Sequence, residues 1–301
     1  MAITVHTHNI GGLGVDIFQR DDQIAAPRLT VLFILHGRLE SRKDVRAQAE
    51  HVLKAVYPNS NLTRDLLVVT FDHRNHGDRL VDGNANLGWH KKPERNNPNH
   101  AIDMYTVQWG TAQDVSFLID FLPSYLYPSG ERSIDTWAVA GISLGGHSTW
   151  TCLRNDSRIS IGIPIISCPD FLKLMSKRAI DNGLPFGPPT FPDSLLQFIR
   201  STDPAASTPD ITSSSKDANP FVDKRILVLS GAADKLVPWE ASKAFVEALH
   251  VDANRGGVKQ VFVQDGVGHE CTQEMTSRLA AFVRDFALGI KESSEVPSPN
   301  L

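Results

Sequence analysis

Ser143 lies in Gly141-Ile-Ser-Leu-Gly145, directly after the apolar run Ala138-Val-Ala and before a segment with helical potential. Glycine on both sides of a serine lets the backbone bend sharply and lets the next helix approach closely, because neither flanking position carries a side chain. A serine held at such a strand-to-helix turn is a candidate nucleophile for an acyl carbon. A neutral hydroxyl attacks poorly at neutral pH, so it needs a base to take its proton and a carboxylate to orient that base. Two histidines are candidates for the base: His269, in Gly268-His269 before the last amphipathic segment, and His147, four residues after the serine.

Other residues could also do chemistry. His36, His73 and His76, with Asp72 and Asp78, end apolar runs and invite a metal reading. Their spacing contains no tight ligand pattern and serine chemistry requires none, so neither a metal nor any other cofactor is expected. The Asp72–Gly77 stretch reads instead as a loop support. Trp89, Met175, Phe186 and Phe191, with Leu195 and Phe198, can line an apolar substrate pocket or hold surrounding loops together. Cys271 follows His269 by two residues, but Ser143 alone has the glycine-flanked turn.

The elements that must position these groups follow from periodicity. An alternating start, a Gly11-Gly12 turn and Val15 to Phe18 precede Leu29-Thr-Val-Leu-Phe-Ile-Leu, a nearly continuous apolar run expected of a strand buried on both faces. Val45, Ala49, Val52, Leu53 and Val56 recur at helical spacing, stopped by Pro58-Asn59-Ser60, and Leu66 to Phe71 is the next buried strand. Strand, helix, strand begins a parallel sheet with helices on both faces. Residues 78–101 are polar and read as a long loop. A helix is expected over 103–122, a strand over 135–141 and a further strand over 159–167. Residues 169–221 break the rhythm, with short helical candidates at 171–177 and 194–200, and are expected to form an inserted cap. Strands at 226–230 and 258–263, a helix at 239–250 and a final amphipathic helix complete a single domain over 1–291, followed by a flexible tail over 292–301.

Composition limits the partners. With 30 basic and 34 acidic residues among 301, a net charge of -4 and no long single-sign block, nothing favours a nucleic-acid partner. No apolar run approaches the length of a membrane span, and the first residues lack the pattern of a signal peptide, so a cytoplasmic location is expected. Three cysteines, with no CxxC spacing, are expected to stay reduced, and the sequons at Asn61 and Asn155 to stay unglycosylated. Nothing in the sequence specifies an oligomeric state.

Taken together, His36-Gly37, Gly141-x-Ser143-x-Gly145, Gly231-x-x-Asp234 and Gly268-His269, each after or beside a core strand, resemble the α/β-hydrolase superfamily over roughly residues 28–290. The resemblance implies an α/β fold with a mostly parallel eight-stranded sheet. It also implies the chain order nucleophile, acid, histidine, which selects Ser143, Asp234 and His269 as a triad, with Asp170 as the rival acid. The oxyanion hole it implies consists of the backbone N–H groups of Leu144 and of Arg38, in the loop after His36-Gly37. The Arg38 side chain is read as exposed or structural, with a clamp on a substrate carboxylate as the alternative. The expected activity is hydrolysis of a small carboxylic ester through an acyl-enzyme. Thioesterase, amidase, peptidase or acyltransferase activity would use the same triad, and a noncatalytic small-molecule-binding protein is the reading from another class.

Overall fold

The computed structural model describes residues 2–22, 26–57, 62–206 and 210–289. The helix stop at 58–60, the sequon at Asn61 and the tail at 292–301 therefore lie outside the described residues.

Eight described segments are strands: β1 (Ile3–Ile10), β2 (Leu13–Arg20), β3 (Arg28–Leu35), β4 (Asp65–Phe71), β5 (Ser133–Ile142), β6 (Ile159–Ile165), β7 (Arg225–Gly231) and β8 (Val258–Gln264). They form one sheet in the order β1-β2-β4-β3-β5-β6-β7-β8. The first hairpin is antiparallel, and β2 runs antiparallel to β4. Every later pairing is parallel.

Strand β3 shows why its sequence is apolar throughout. Val31, Phe33 and Leu35 face one core while Leu32 and Ile34 face the other, since successive side chains of a strand point to opposite sides. The first core is closed by helices α2 (His100–Leu126), α3 (Leu144–Asn155) and α6 (Trp239–Ala248). The second is closed by α1 (Arg46–Ala55) and α7 (Gln273–Ala287), which meet each other across that face. Because β4, β3, β5, β6, β7 and β8 run the same way, their carboxyl ends share one edge of the sheet. The loops carrying His36, Asp72, Ser143, Ile166, Asp234 and His269 leave from it. In an open parallel sheet this edge is where ligands bind.

Helix α2 is longer than its sequence pattern suggests at both ends. At its start, Asn97 accepts from the Asn99 N–H and donates to Asp103, tying the first turn to the preceding loop. Pro123 lacks the N–H for one helical bond, yet the chain continues for another turn, ending with Tyr127 N–H donating to the Pro123 carbonyl at 2.9 Å. Within 169–221, α4 (Phe171–Asp181) and α5 (Asp193–Thr202) pack with the start of α2 and the 78–101 loop in a third apolar cluster.

Candidate active site

Ser143 occupies the turn between β5 and α3 with φ 52° and ψ -108°, a conformation that costs a non-glycine residue roughly 1–3 kcal/mol. Its neighbours hold it there. The Ser143 N–H donates to the Ile165 carbonyl on β6 at 2.9 Å, and the Gly145 N–H donates to the His36 carbonyl at 3.1 Å. Both glycines are required by contact as well as by curvature. A methyl group on Gly141 would lie 2.2 Å from the Gly145 backbone, and one on Gly145 would lie 2.4 Å from the Leu35 carbonyl oxygen.

Three of the predicted residues converge. The Ser143 Oγ–H donates to His269 Nε2 at 2.8 Å, and His269 Nδ1–H donates to Asp234 Oδ2 at 2.7 Å. The carboxylate keeps the ring proton on Nδ1 and leaves Nε2 free to accept. The other carboxylate oxygen, Oδ1, accepts from the N–H groups of Leu236 and Val237 at 2.8 and 2.9 Å. Burial pushes the Asp234 carboxyl up, but the His269 bond and the two backbone N–H groups outweigh it and hold the group below the usual carboxylate range.

The other candidates take different places. Asp170 is the N-cap of α4, accepting from the Lys173 N–H at 2.9 Å, and has no bond to His269. His147 Nδ1 lies 2.8 Å from the Cys168 carbonyl and 3.1 Å from its N–H, and burial drops its pKa to about 4. It links α3 to the strand end of β6 rather than serving Ser143. His36 accepts the His73 N–H on Nε2 and faces the Gly37 carbonyl through Nδ1. Burial, the largest influence, brings its pKa to about 4, so this neutral ring pins the loop that carries Arg38. Asp72 accepts from the Arg42 N–H, the Arg42 guanidinium and the Asp78 N–H, which makes the 72–77 stretch a loop support as its sequence suggests. Among the described residues no group of His, Cys, Asp and Glu is arranged to hold a metal ion.

The backbone donors expected for an oxyanion are available. Leu144 is the first residue of α3, so its N–H has no acceptor one turn back. In the loop after β3, Glu40 accepts the Gly37 N–H at 2.7 Å and Glu40 N–H returns to the Gly37 carbonyl. The Arg38 N–H between them has no intramolecular acceptor among the described residues.

A cleft of about 380 Å³ opens at Ser143 and His269, lined also by Gly37, Arg38, Glu40 and Leu236. The predicted pocket residues are not among its lining. Trp89, Met175 and Phe191 are buried in the third cluster together with the Leu144 side chain, and Phe186 is half exposed with its ring 4.8 Å from that of Phe191. Their apolarity signals burial and does not say against what; here they join loop, α2 and α4. The Arg38 side chain is also not exposed: it turns beneath the 78–101 loop, and Nη1 donates to the Asn86 carbonyl at 3.0 Å. Glu40 and Arg178 are the site-adjacent residues that sequence patterns passed over. Glu40 could have been found as an acidic residue three after Gly37, in reach of its N–H.

An open, mostly parallel eight-stranded sheet covered on both faces, with a serine elbow at its carboxyl edge, is the α/β-hydrolase fold. No protein-family model matches the chain, and no curated protein is similar to it by sequence. Among solved structures, a Thermus thermophilus protein is similar at 20% identity and TM-score 0.65, covering 95% of this chain and 98% of its own. Est1E from Butyrivibrio proteoclasticus, solved with ferulic acid bound, is 15% identical at TM-score 0.55, covering 93% and 97%. A Pyrococcus furiosus esterase is 17% identical at TM-score 0.53, covering 96% and 92%. At these identities the likeness is one of fold. No helix among the described residues is long and apolar enough to cross a membrane.

Proposed function

We propose that the chain is a serine hydrolase that cleaves a small carboxylic ester through Ser143, His269 and Asp234. The observation that carries this reading is the unbroken hydrogen-bond chain from Ser143 Oγ through His269 to Asp234, attached to a serine in a strained turn. Solved structures of the same fold that are named as esterases add support.

In this mechanism Ser143 Oγ forms a bond to the acyl carbon as its proton passes to His269 Nε2. The carbonyl oxygen gains the negative charge and lies between the Leu144 and Arg38 N–H groups. Collapse breaks the bond to the leaving oxygen, which takes the proton from His269. Water then repeats the sequence on the acyl-enzyme, releasing the acid and restoring Ser143. Asp234 keeps its negative charge throughout and stabilises the imidazolium. We read residues 169–221 as a cap over the substrate side, on the ground that α4 and α5 pack beside the strand ends rather than in either main core. The reading includes a reducing, cytoplasmic setting, consistent with three unpaired cysteines.

The test is labelling by a serine-reactive phosphonate beside hydrolysis of an ester panel. Both should be lost in Ser143→Ala. Hydrolysis that survives the substitution would remove Ser143 from the mechanism, and absence of labelling in the native chain would favour a binding protein.

A further inference from the structure

Near the cleft at Ser143 lie two guanidiniums that feel each other's charge and have no carboxylate paired to them among the described residues. Arg38 lines the cleft, and the bond from its Nη1 to the Asn86 carbonyl is its hydrogen bond to the described residues. Arg178, on α4, donates from Nη2 to the Leu236 carbonyl at 2.7 Å, and Leu236 lines the same cleft. The Arg178 Nη1 group meets only the Met175 sulfur at 3.5 Å, and its Nε–H is buried with no partner among the described residues. No described carboxylate lies within ion-pair distance of either arginine, whereas the buried Arg20 and Arg42 and the half-buried Arg132 each have one; half-buried Arg225 instead donates to two carbonyls. Asp234 is the carboxylate whose charge Arg178 feels, but its oxygens are taken by His269, Leu236 and Val237.

The two charges are near enough to oppose each other. Burial, and after it the Arg38 charge, lowers Arg178 to about 10, so it remains cationic at neutral pH. His100 completes the surroundings as a neutral ring. Burial first, then both arginines, bring its pKa to about 3, and its buried Nδ1 has no partner among the described residues. A β-carbon at Gly88 would lie 3.8 Å from Arg38 Nη1 and 3.9 Å from His100 Nε2, so this stretch of the loop lies against both groups at ordinary contact distance. Holding two like charges in a desolvated place is costly unless a counter-charge arrives. The planar fork of arginine presents paired donors that match a carboxylate.

We infer that Arg38 and Arg178 form an anion-binding subsite, and that the ester cleaved at Ser143 carries a carboxylate which these two guanidiniums hold. This rests on the proposed hydrolase reading and narrows it to acidic esters. The subsite would orient the substrate by its charged end while its acyl carbon lies at the serine.

The test compares two substrates on one protein: the mono-p-nitrophenyl ester of glutaric acid and p-nitrophenyl 5-methylhexanoate, in which an isopropyl group replaces the carboxylate. The ratio of their kcat/KM values does not depend on how much of a variant is folded. The native chain should favour the acidic ester by about tenfold or more. In Arg178→Gln, and in Arg38→Gln, the ratio should fall by about 30-fold or more, the scale expected when a buried charge loses its partner; Arg178→Lys should restore part of it. A native preference for the neutral ester, or a ratio that neither substitution moves, overturns the subsite. Should neither ester be cleaved in a Ser143-dependent way, the hydrolase reading fails separately, and calorimetric titration of free glutarate decides the subsite alone. Binding that is present in the native chain and lost in Arg178→Gln sustains it, and absence of binding refutes it.

Discussion

Replacing Asp234 by asparagine should disable the site through a hydrogen-bond constraint that can be worked out from the contacts. In the native arrangement Oδ1 accepts from two backbone donors, the N–H groups of Leu236 and Val237, while Oδ2 accepts from His269 Nδ1–H. Asparagine has one oxygen and one NH₂. The oxygen must remain with the two N–H groups, because an amide nitrogen facing them would leave both unsatisfied at a cost of about 1–3 kcal/mol each. The NH₂ then points at His269 Nδ1 and can only donate, which moves the ring proton to Nε2. An Nε2–H cannot take the proton of Ser143. The expected loss in kcat is about 10⁴-fold, or roughly 5 kcal/mol of transition-state stabilisation, with the fold and the cleft intact. The assay is steady-state hydrolysis of a short activated ester, with thermal unfolding as the check on folding. Asp170→Asn is the comparison: Asp170 caps α4 and asparagine caps nearly as well, so kcat should change less than about threefold. An Asp234→Asn variant that keeps more than about a tenth of native kcat, or an Asp170→Asn variant that loses as much, would refute the assignment of the acid.

Two further outcomes follow from packing and from titration. Gly145→Ala places a methyl 2.4 Å from the Leu35 carbonyl, so it should destabilise the chain by about 3 kcal/mol and slow phosphonate labelling of Ser143. Gly83→Ala, at φ -65° with nothing within 4 Å of the added carbon, should leave the melting temperature nearly unchanged; equal effects at the two sites would contradict the close approach of α3 to β3. Burial is the main cause that lifts the Asp203 carboxyl to about 8, whereas the unfolded chain titrates it near its ordinary value. Between those values the folded state binds a proton that the unfolded state has released. Asp203 should therefore make stability fall as pH rises from about 4 to about 8. Asp203→Asn should reduce that decline, and calorimetric melting at pH 5 and pH 8 that shows the same difference in both proteins would show otherwise.

The strands that build the sheet were readable because burial on both faces demands unbroken apolar runs, as in β3 and β4. The elbow was readable because only glycine fits at 141 and 145. What could not be read was partnership across the chain. Trp89, Met175 and Phe191 have the composition of a pocket, yet their contacts form a core between loop and helices. Asparagines in the 72–101 region read only as loop formers, but they are the framework of that loop. Asn75 donates to the Asp82 carbonyl and accepts from two N–H groups, Asn86 donates to the Asn75 carbonyl, and Asn97 donates to the Ala85 carbonyl. Arg178 was hidden for a similar reason. On a helix with exposed Lys173 and Lys177, a third basic residue reads as solvated surface, and only the approach of Leu236 from 58 residues away shows otherwise.

The turn at 234–237 gives the two halves of the proposed site a common support. The Leu236 N–H donates to the carboxylate that orients His269, and the carbonyl of the same residue accepts from Arg178. A shift of this turn would therefore move the triad acid and the guanidinium together. In the proposed site Arg38 has a matching double part, with its backbone N–H offered to the developing oxyanion and its side chain to the substrate charge. Arranged this way, an anion bound between the arginines pulls on the loops that carry the acid and the oxyanion donor. Charge recognition and alignment of the reacting atoms then depend on the same backbone. This geometry favours selectivity expressed in kcat as well as in KM, since part of the binding energy of the carboxylate is used to fix the groups that act in the transition state.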